Sequence, residues 1–327
     1  MFAELTIQVA AISASIIPYF RTDNSIILFL CRKIFIGVYI NCAILASFNR
    51  YPQNCSYLSL VFPGCNQLMY EYKDREVVKV ENIKIGDAIL YYDHQPGLPN
   101  QASLLYIHGS GATHEIWSHQ MNPGFNTFAL DLPGHGQSKG PASSSIDQSA
   151  RTVAYFISTL PVSYPVYLIG HSMGAAIALT CALNFPDLIK GLVLIGAGQR
   201  MKVMPGFLED LRQGKNDPEF IRLGFSPHAP AELADSMVKT FGAAEPAVLY
   251  ADFFACDKFD IAGRLWEIES PVLLISGADD RLTPLKLSQY LEAHIKNCRL
   301  EVMNETGHFA MLEKPDAVNH LIERFCC

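Results

Sequence analysis

The chain has no surplus of positive charge. Its 25 Lys and Arg face 32 Asp and Glu, a formal net charge of −7, and the basic residues are scattered rather than gathered on one segment. A polyanion would find no basic stripe to follow, so no nucleic-acid partner is expected. The nine cysteines include no C-x-x-C pair. Cys55 and Cys65 lie in a polar stretch, Cys181, Cys256 and Cys298 stand alone, and Cys326 and Cys327 are adjacent. That pattern offers neither a zinc-ligand spacing nor a disulfide framework, so it reads as free thiols in a reducing, cytoplasmic setting, with no metal expected. Internal repeats and low-complexity tracts are absent as well.

A long uninterrupted apolar run is also missing. Residues 25 to 48, "SIILFLCRKIFIGVYINCAILASF", would reach across a bilayer, but Arg32 and Lys33 fall near the middle. Two central basic residues cost roughly 5 to 7 kcal/mol, which about cancels a dozen apolar side chains at roughly 0.5 kcal/mol each. A secretory signal has little support, because "MFAEL" carries Glu4 and lacks a basic start. Residues 1–75 are therefore set apart as an N-terminal extension with three readings open: a membrane anchor formed by 25–48, a hydrophobic helix packed on the body, or a stretch upstream of the working protein.

What is present becomes regular from residue 76 onward. "VVKVENIKI" and "AILYYD" alternate apolar and polar residues around Gly86-Asp87, the pattern of an antiparallel hairpin. Continuous apolar runs follow at 103–108, 125–131, 165–170, 191–197, 271–277 and 299–304, with helix-period segments at 145–160, 173–184, 284–296 and 314–325. Apolar strands alternating with helices predict an α/β fold, a mostly parallel central sheet covered on both faces. Half the residues are apolar, enough for a sizeable core. Between Ala197 and Pro271 the strand signal stops, and "PGFLEDLRQ", "DPEFIRLGF", "PAELADSMVKTF" and "PAVLYADFFACDKF" read as short helices. So long a connection is not expected to be structureless, and 199–270 is read as a helical cap inserted into a core made of 76–198 and 271–327.

Chemistry enters at the ends of the strands, where an open α/β sheet gathers its functional groups. Gly170-His171-Ser172-Met173-Gly174 fits G-x-S-x-G, a sharp strand-to-helix turn that lifts a serine hydroxyl clear of the sheet. An alcohol is a poor nucleophile near neutral pH, so Ser172 needs a base within reach and a third group to orient that base. Asp279 and Asp280 follow "VLLISG", and His308 follows "LEVMNETG". The order Ser, Asp, His is the one that accompanies this elbow.

With "HGSG" at 108–111, "DLPGHGQS" at 131–138, "GHSMG" at 170–174, "GADDRLTP" at 277–284 and "GHFAMLEKP" at 307–315, the chain resembles the α/β-hydrolase superfamily over roughly 76–325, in its serine esterase and lipase-like branch. The resemblance puts the acid in G-x-x-D-x-x-x-P, on Asp280 with Asp279 as the fallback. It implies that His308 takes the Ser172 proton, that Asp280 orients the imidazole, and that the backbone N–H groups of Ser110 and Met173 form the oxyanion hole. His108, Asp131 and His135 are expected to shape loops. His171 is expected to point away from the site, while Trp117, Met201, Phe253 and Phe254 are lining candidates that core packing explains equally well.

The implied activity is carboxylic ester hydrolysis through an acyl-enzyme, on a small-molecule ester sized by the cap and with no cofactor. Epoxide hydrolases and haloalkane dehalogenases of the superfamily use aspartate in the elbow, where this chain has Ser172. Hydrolysis of C–C bonds in ring-cleavage products is an alternative, although Ala112-Thr113 and His171 stand where those enzymes usually carry Pro-Gly and Asn. Monoglyceride lipase, thioesterase and a non-catalytic binding protein also remain.

Overall fold

The computed structural model describes residues 33–35, 38–40, 79–86, 88–97, 101–121, 124–160 and 165–327. The chain divides into two compact units, 1–75 and 76–327. In the first, β1 (Lys33–Phe35) pairs antiparallel with β2 (Val38–Ile40). Those six residues fall inside the 25–48 stretch for which a hydrophobic helix is one open reading, and they are strand; the remainder of that stretch lies outside the described residues. Among the described residues no helix is long and apolar enough to cross a membrane.

The second unit is built on an eight-stranded sheet. The predicted hairpin is β3 (Lys79–Ile85) and β4 (Ala88–Gln95). It joins the sheet edge where β4 runs antiparallel to β6 (Asn126–Leu130). The remaining strands are β5 (Ser103–Ile107), β7 (Val166–His171), β8 (Ile189–Ile195), β9 (Val272–Gly277) and β10 (Cys298–Met303), and all their pairings are parallel. The spatial order is β10, β9, β8, β7, β5, β6, β4, β3.

Strand periodicity explains why 104–107 of β5, 166–169 of β7 and 272–275 of β9 are apolar without a break. Along β7, Val166 and Leu168 enter the core shared with α1 (Ile146–Thr159) and α2 (Met173–Asn184), whereas Tyr167 and Ile169 enter the opposite one with Val318 and Ile322 of α8 (Pro315–Cys326). A strand with helices on both sides has no solvent face to leave polar. Helix α1 begins where Ser145 accepts a bond from the Gln148 N–H, and it buries Ala150, Val153 and Ile157 while Arg151 and Tyr155 face water. Each such Val or Ile contributes about 1.5 to 3 kcal/mol by leaving water. Helix α2 is different: Met173 to Ala182 are all buried, so its small residues let it run hard against the sheet.

Between β8 and β9 the chain forms α3 (Pro205–Arg212), a 3-10 stretch Pro218–Gly224, α4 (Ala231–Ala243), α5 (Pro246–Lys258) and a 3-10 stretch Ala262–Glu267. Leu249 of α5 and Phe241 of α4 meet Gly111, in the loop after β5. The inserted helices therefore press on the carboxyl ends of the strands. The α-helices are completed by α6 (Lys286–His294) after β9 and α7 (Ala310–Glu313) before α8, and short 3-10 stretches lie at His114–Trp117 and Pro186–Leu188.

Candidate active site

Ser172 occupies the turn between β7 and α2 with φ 53° and ψ −114°. That conformation is strained for a residue with a Cβ, by about 1 to 3 kcal/mol, and persists only because its surroundings enforce it. The enforcement is visible in the two flanking glycines. A Cβ on Gly174 would sit on the carbonyl oxygen of Ile107, and one on Gly170 would sit on that of Gly174. Helix and strand approach so closely that only hydrogen fits. The Ser172 N–H donates to Ile195 O at 2.9 Å, which ties the elbow to β8.

His308 lies after β10, 3% exposed, with Nδ1 at 2.8 Å from Asp280 Oδ2. Asp280, after β9, is the more heavily engaged partner. Its Oδ2 also accepts from the Thr283 hydroxyl at 2.7 Å, and its Oδ1 accepts from the N–H groups of Leu282 at 2.9 Å and Thr283 at 2.8 Å. Burial disfavours the Asp280 charge, but the facing imidazole and these bonds outweigh it and hold the carboxyl below its ordinary range. A carboxylate that only accepts requires a proton on Nδ1, so in the neutral ring the lone pair is on Nε2. Among the described residues the Ser172 hydroxyl has no hydrogen-bond partner, His308 included.

Asp279 is directed elsewhere. Its Oδ2 accepts from Ser226 Oγ at 2.6 Å and its N–H donates to Thr306 O at 2.9 Å. Of the two adjacent carboxylates, the structure brings Asp280 to His308.

The loop after β5 crosses in front of the elbow. A Cβ on Gly109 would stand 3.1 Å from Ser172 Cβ, and Ser110 Oγ lies 3.6 Å from Met173 Sδ. Among the described residues no hydrogen bond uses the backbone N–H of Ser110 or of Met173. The Met173 N–H also belongs to the first turn of α2, where the helix has no internal acceptor for it.

The loop residues behave as read. His108 Nδ1 donates to Gly109 O at 2.8 Å and Nε2 accepts from the Leu132 N–H at 3.1 Å. Its complete burial holds it neutral, pushing its pKa down to about 4. Asp131 Oδ1 accepts from His114 N–H and Nδ1, and Oδ2 from Gln137 N–H, at 2.7, 2.9 and 2.9 Å. His171 differs from expectation. Rather than pointing away, its ring lies 4.6 Å from the His308 ring and Nε2 donates to His308 O at 3.1 Å. His171 continues the face of Tyr167 and Ile169 along β7, where Phe309 packs on its ring at 5.2 Å, so the strand's own alternation turns it towards the loop that carries His308.

Three supporting residues escaped the sequence reading. Thr283 Oγ1 bridges Asp280 and His308, lying 3.1 Å from Nδ1; it falls inside "GADDRLTP", where a signal existed. Glu313 accepts the Gly307 N–H at 3.0 and 3.1 Å just before His308. Gly224, from the inserted helices, accepts the His308 N–H. Of the lining candidates, Trp117 is fully buried against Tyr106 and Met201 is 8% exposed within the core. Phe253 stacks edge-on with Phe207 among the inserted helices, and Phe254 packs on Tyr250 beneath Lys258 Nζ. Among the described residues no group of three or more His, Cys, Asp or Glu is placed to ligate a metal.

Comparison with known proteins gives a consistent picture. The sequence model of the alpha/beta hydrolase family matches residues 104–321. The pimeloyl-acyl-carrier protein methyl ester esterase of Neisseria meningitidis serogroup C is 27% identical over 248 residues, 70% of this chain and 95% of that protein. The 2-hydroxy-6-oxononadienedioate/2-hydroxy-6-oxononatrienedioate hydrolase 1 of Pseudomonas putida is 26% identical over 280 residues, 77% of this chain and 97% of that one. Among solved structures, a thermophilic esterase superposes with TM-score 0.67 at 29% identity, covering 76% of this chain and 97% of its own.

Proposed function

Because the chain belongs to the alpha/beta hydrolase family, we propose that it is a serine hydrolase that cleaves carboxylic esters through an acyl-enzyme. The observation that carries this reading is the buried His308–Asp280 pair, which orients an imidazole 4.6 Å from the ring of His171, the residue before the strained Ser172. Nε2 of His308 takes the hydroxyl proton as Ser172 Oγ attacks the ester carbonyl, and returns it to the departing alcohol. Asp280 stabilises the imidazolium formed in between. The Ser110 and Met173 N–H groups, unclaimed among the described residues, receive the oxyanion of the tetrahedral intermediate. Water then repeats the sequence to release the acid. The Ser172–His308 bond closes as substrate fills the site, since such contacts are often long in unliganded enzymes. The helices between β8 and β9 act as the cap that sizes the acid or alcohol portion.

The similarity to a hydrolase of 2-hydroxy-6-oxo acids favours a second reading, C–C bond hydrolysis by the same residues. Against it, His171 stands before the nucleophile with its Nε2 committed to His308 O. Steady-state assays with p-nitrophenyl acetate, butyrate and octanoate, and with a 2-hydroxy-6-oxo dienoate, separate the two. Ester turnover reduced at least about 1000-fold in Ser172→Ala is the expected result. Cleavage of the dienoate alone would replace ester hydrolysis with the second reading.

A further inference from the structure

The loop that carries Ser110 is held from the side of the inserted helices. Gly111 has φ +66°, and a Cβ on it would press Leu249 and Phe241, so the loop is seated flush on α4 and α5. One turn along α5, Asp252 is 1% exposed. Its Oδ2 accepts the Gly111 N–H at 3.0 Å and meets His135 Nε2 at 2.9 Å. His135 Nδ1 in turn faces Pro133 O at 3.1 Å. Both ring nitrogens therefore face acceptors, a carbonyl and a carboxylate, and both contacts are hydrogen bonds when the ring carries two protons. Burial opposes that charge, while the Asp252 carboxylate favours it and holds the imidazole above its ordinary range.

Resting on the ester-hydrolase reading and deepening it, we infer that Asp252 is a positioning residue. From α5 it clasps the Gly111 N–H and, braced by His135, fixes the Ser110 peptide for the developing oxyanion. The Gly111 N–H belongs to the peptide unit next to the one bearing the Ser110 N–H, so the orientation of one constrains the other. A buried oxygen that accepts two such bonds has little freedom, because losing either leaves a buried polar group unpaired.

The clasp depends on geometry rather than charge, which makes a sharp test. In Asp252→Asn the amide oxygen, standing where Oδ2 stood, can accept both from the Gly111 N–H and from the Nε2–H of a singly protonated His135, which keeps both bonds to residue 252 and gives up only the one from His135 Nδ1 to Pro133 O. In Asp252→Ala both bonds are lost. With p-nitrophenyl butyrate, Asp252→Ala is expected to lower kcat about 10- to 100-fold, the scale of a small misplacement at a reacting centre. KM should stay within about 3-fold, and Asp252→Asn within about 3-fold of the unsubstituted protein in both constants. Deuterium uptake of the peptide spanning 105–115 should quicken about 10-fold or more in Asp252→Ala and not in Asp252→Asn. An alanine variant that keeps kcat and uptake, or an asparagine variant that falls as far as alanine, overturns the clasp. Should Asp252→Ala fail to fold, Asp252→Ser takes its place with the same expectations. Failure of the unsubstituted protein to cleave any ester counts against ester hydrolysis instead, and the uptake measurement still decides the clasp.

Discussion

Two neighbouring carboxylates on one loop, Asp279 and Asp280, show how much hangs on side-chain direction. Asp280 accepts bonds from His308, Thr283 and Leu282, whereas Asp279 accepts from Ser226. Asp280→Asn is expected to cut kcat about 10,000-fold, because an amide facing Nδ1 favours the wrong tautomer. Asp279→Asn should leave kcat within about 3-fold, since it alters only the contact with the Ser226 hydroxyl. Esterase kinetics on the two purified variants checks both, and comparable losses would contradict the assignment. Asp280 also links the site to acid stability. Its carboxyl is held below the ordinary 3.8, so its contribution is complete above that value and is lost as pH falls through the lower, folded one.

At the scale of elements, the elbow is a steric device. Gly174→Ala drives a methyl onto the Ile107 carbonyl and cannot be relieved by a side-chain rotation. It should cost about 1 to 3 kcal/mol in urea unfolding and disturb Ser172 as well; an unchanged midpoint with full activity would show that the close approach is not required. Strands and helices of the core were legible because each element obeys one period: "VYLIG" is buried on two faces and reads as continuous apolar sequence. Ser172, Asp280 and His308 stood out as candidates because they sit at the ends of those strands, and the structure pairs the last two. The helices between β8 and β9 were legible as helices but not in orientation. Nothing in "PAVLYADFFACDKF" distinguishes Asp252, which turns inward, from Asp257, which pairs with Lys202 and Lys258 near the surface. The 25–48 stretch stayed open between readings because the β-branched and aromatic residues at 33–35 and 38–40, which form strand, suit an apolar helix as well.

For the whole molecule, the buried histidines set how stability depends on pH. His108 and His171 are buried neutral, with pKa values pushed below the ordinary 6.5, that of His108 to about 4. The unfolded chain therefore binds their protons first, and stability falls as pH drops from 6.5 towards about 4. His114 and His135 behave oppositely. For both, burial works against the charge, but Asp131 beside His114 and Asp252 beside His135 raise them above 6.5, so their contribution is complete below that value and is lost as pH rises through the raised ones. The urea midpoint should be highest near pH 6.5 and decline on both sides; a midpoint that is flat or rising on the acid side would contradict neutral burial of His108 and His171.

The most direct measurement at the centre of all this is to treat the protein with a serine-directed fluorophosphonate and locate the adduct by peptide mass spectrometry. Ester hydrolysis through an acyl-enzyme requires a single adduct on the peptide containing Ser172, absent in Ser172→Ala and strongly slowed in His308→Ala. No adduct, or one on another residue that persists in Ser172→Ala, would contradict Ser172 as the nucleophile.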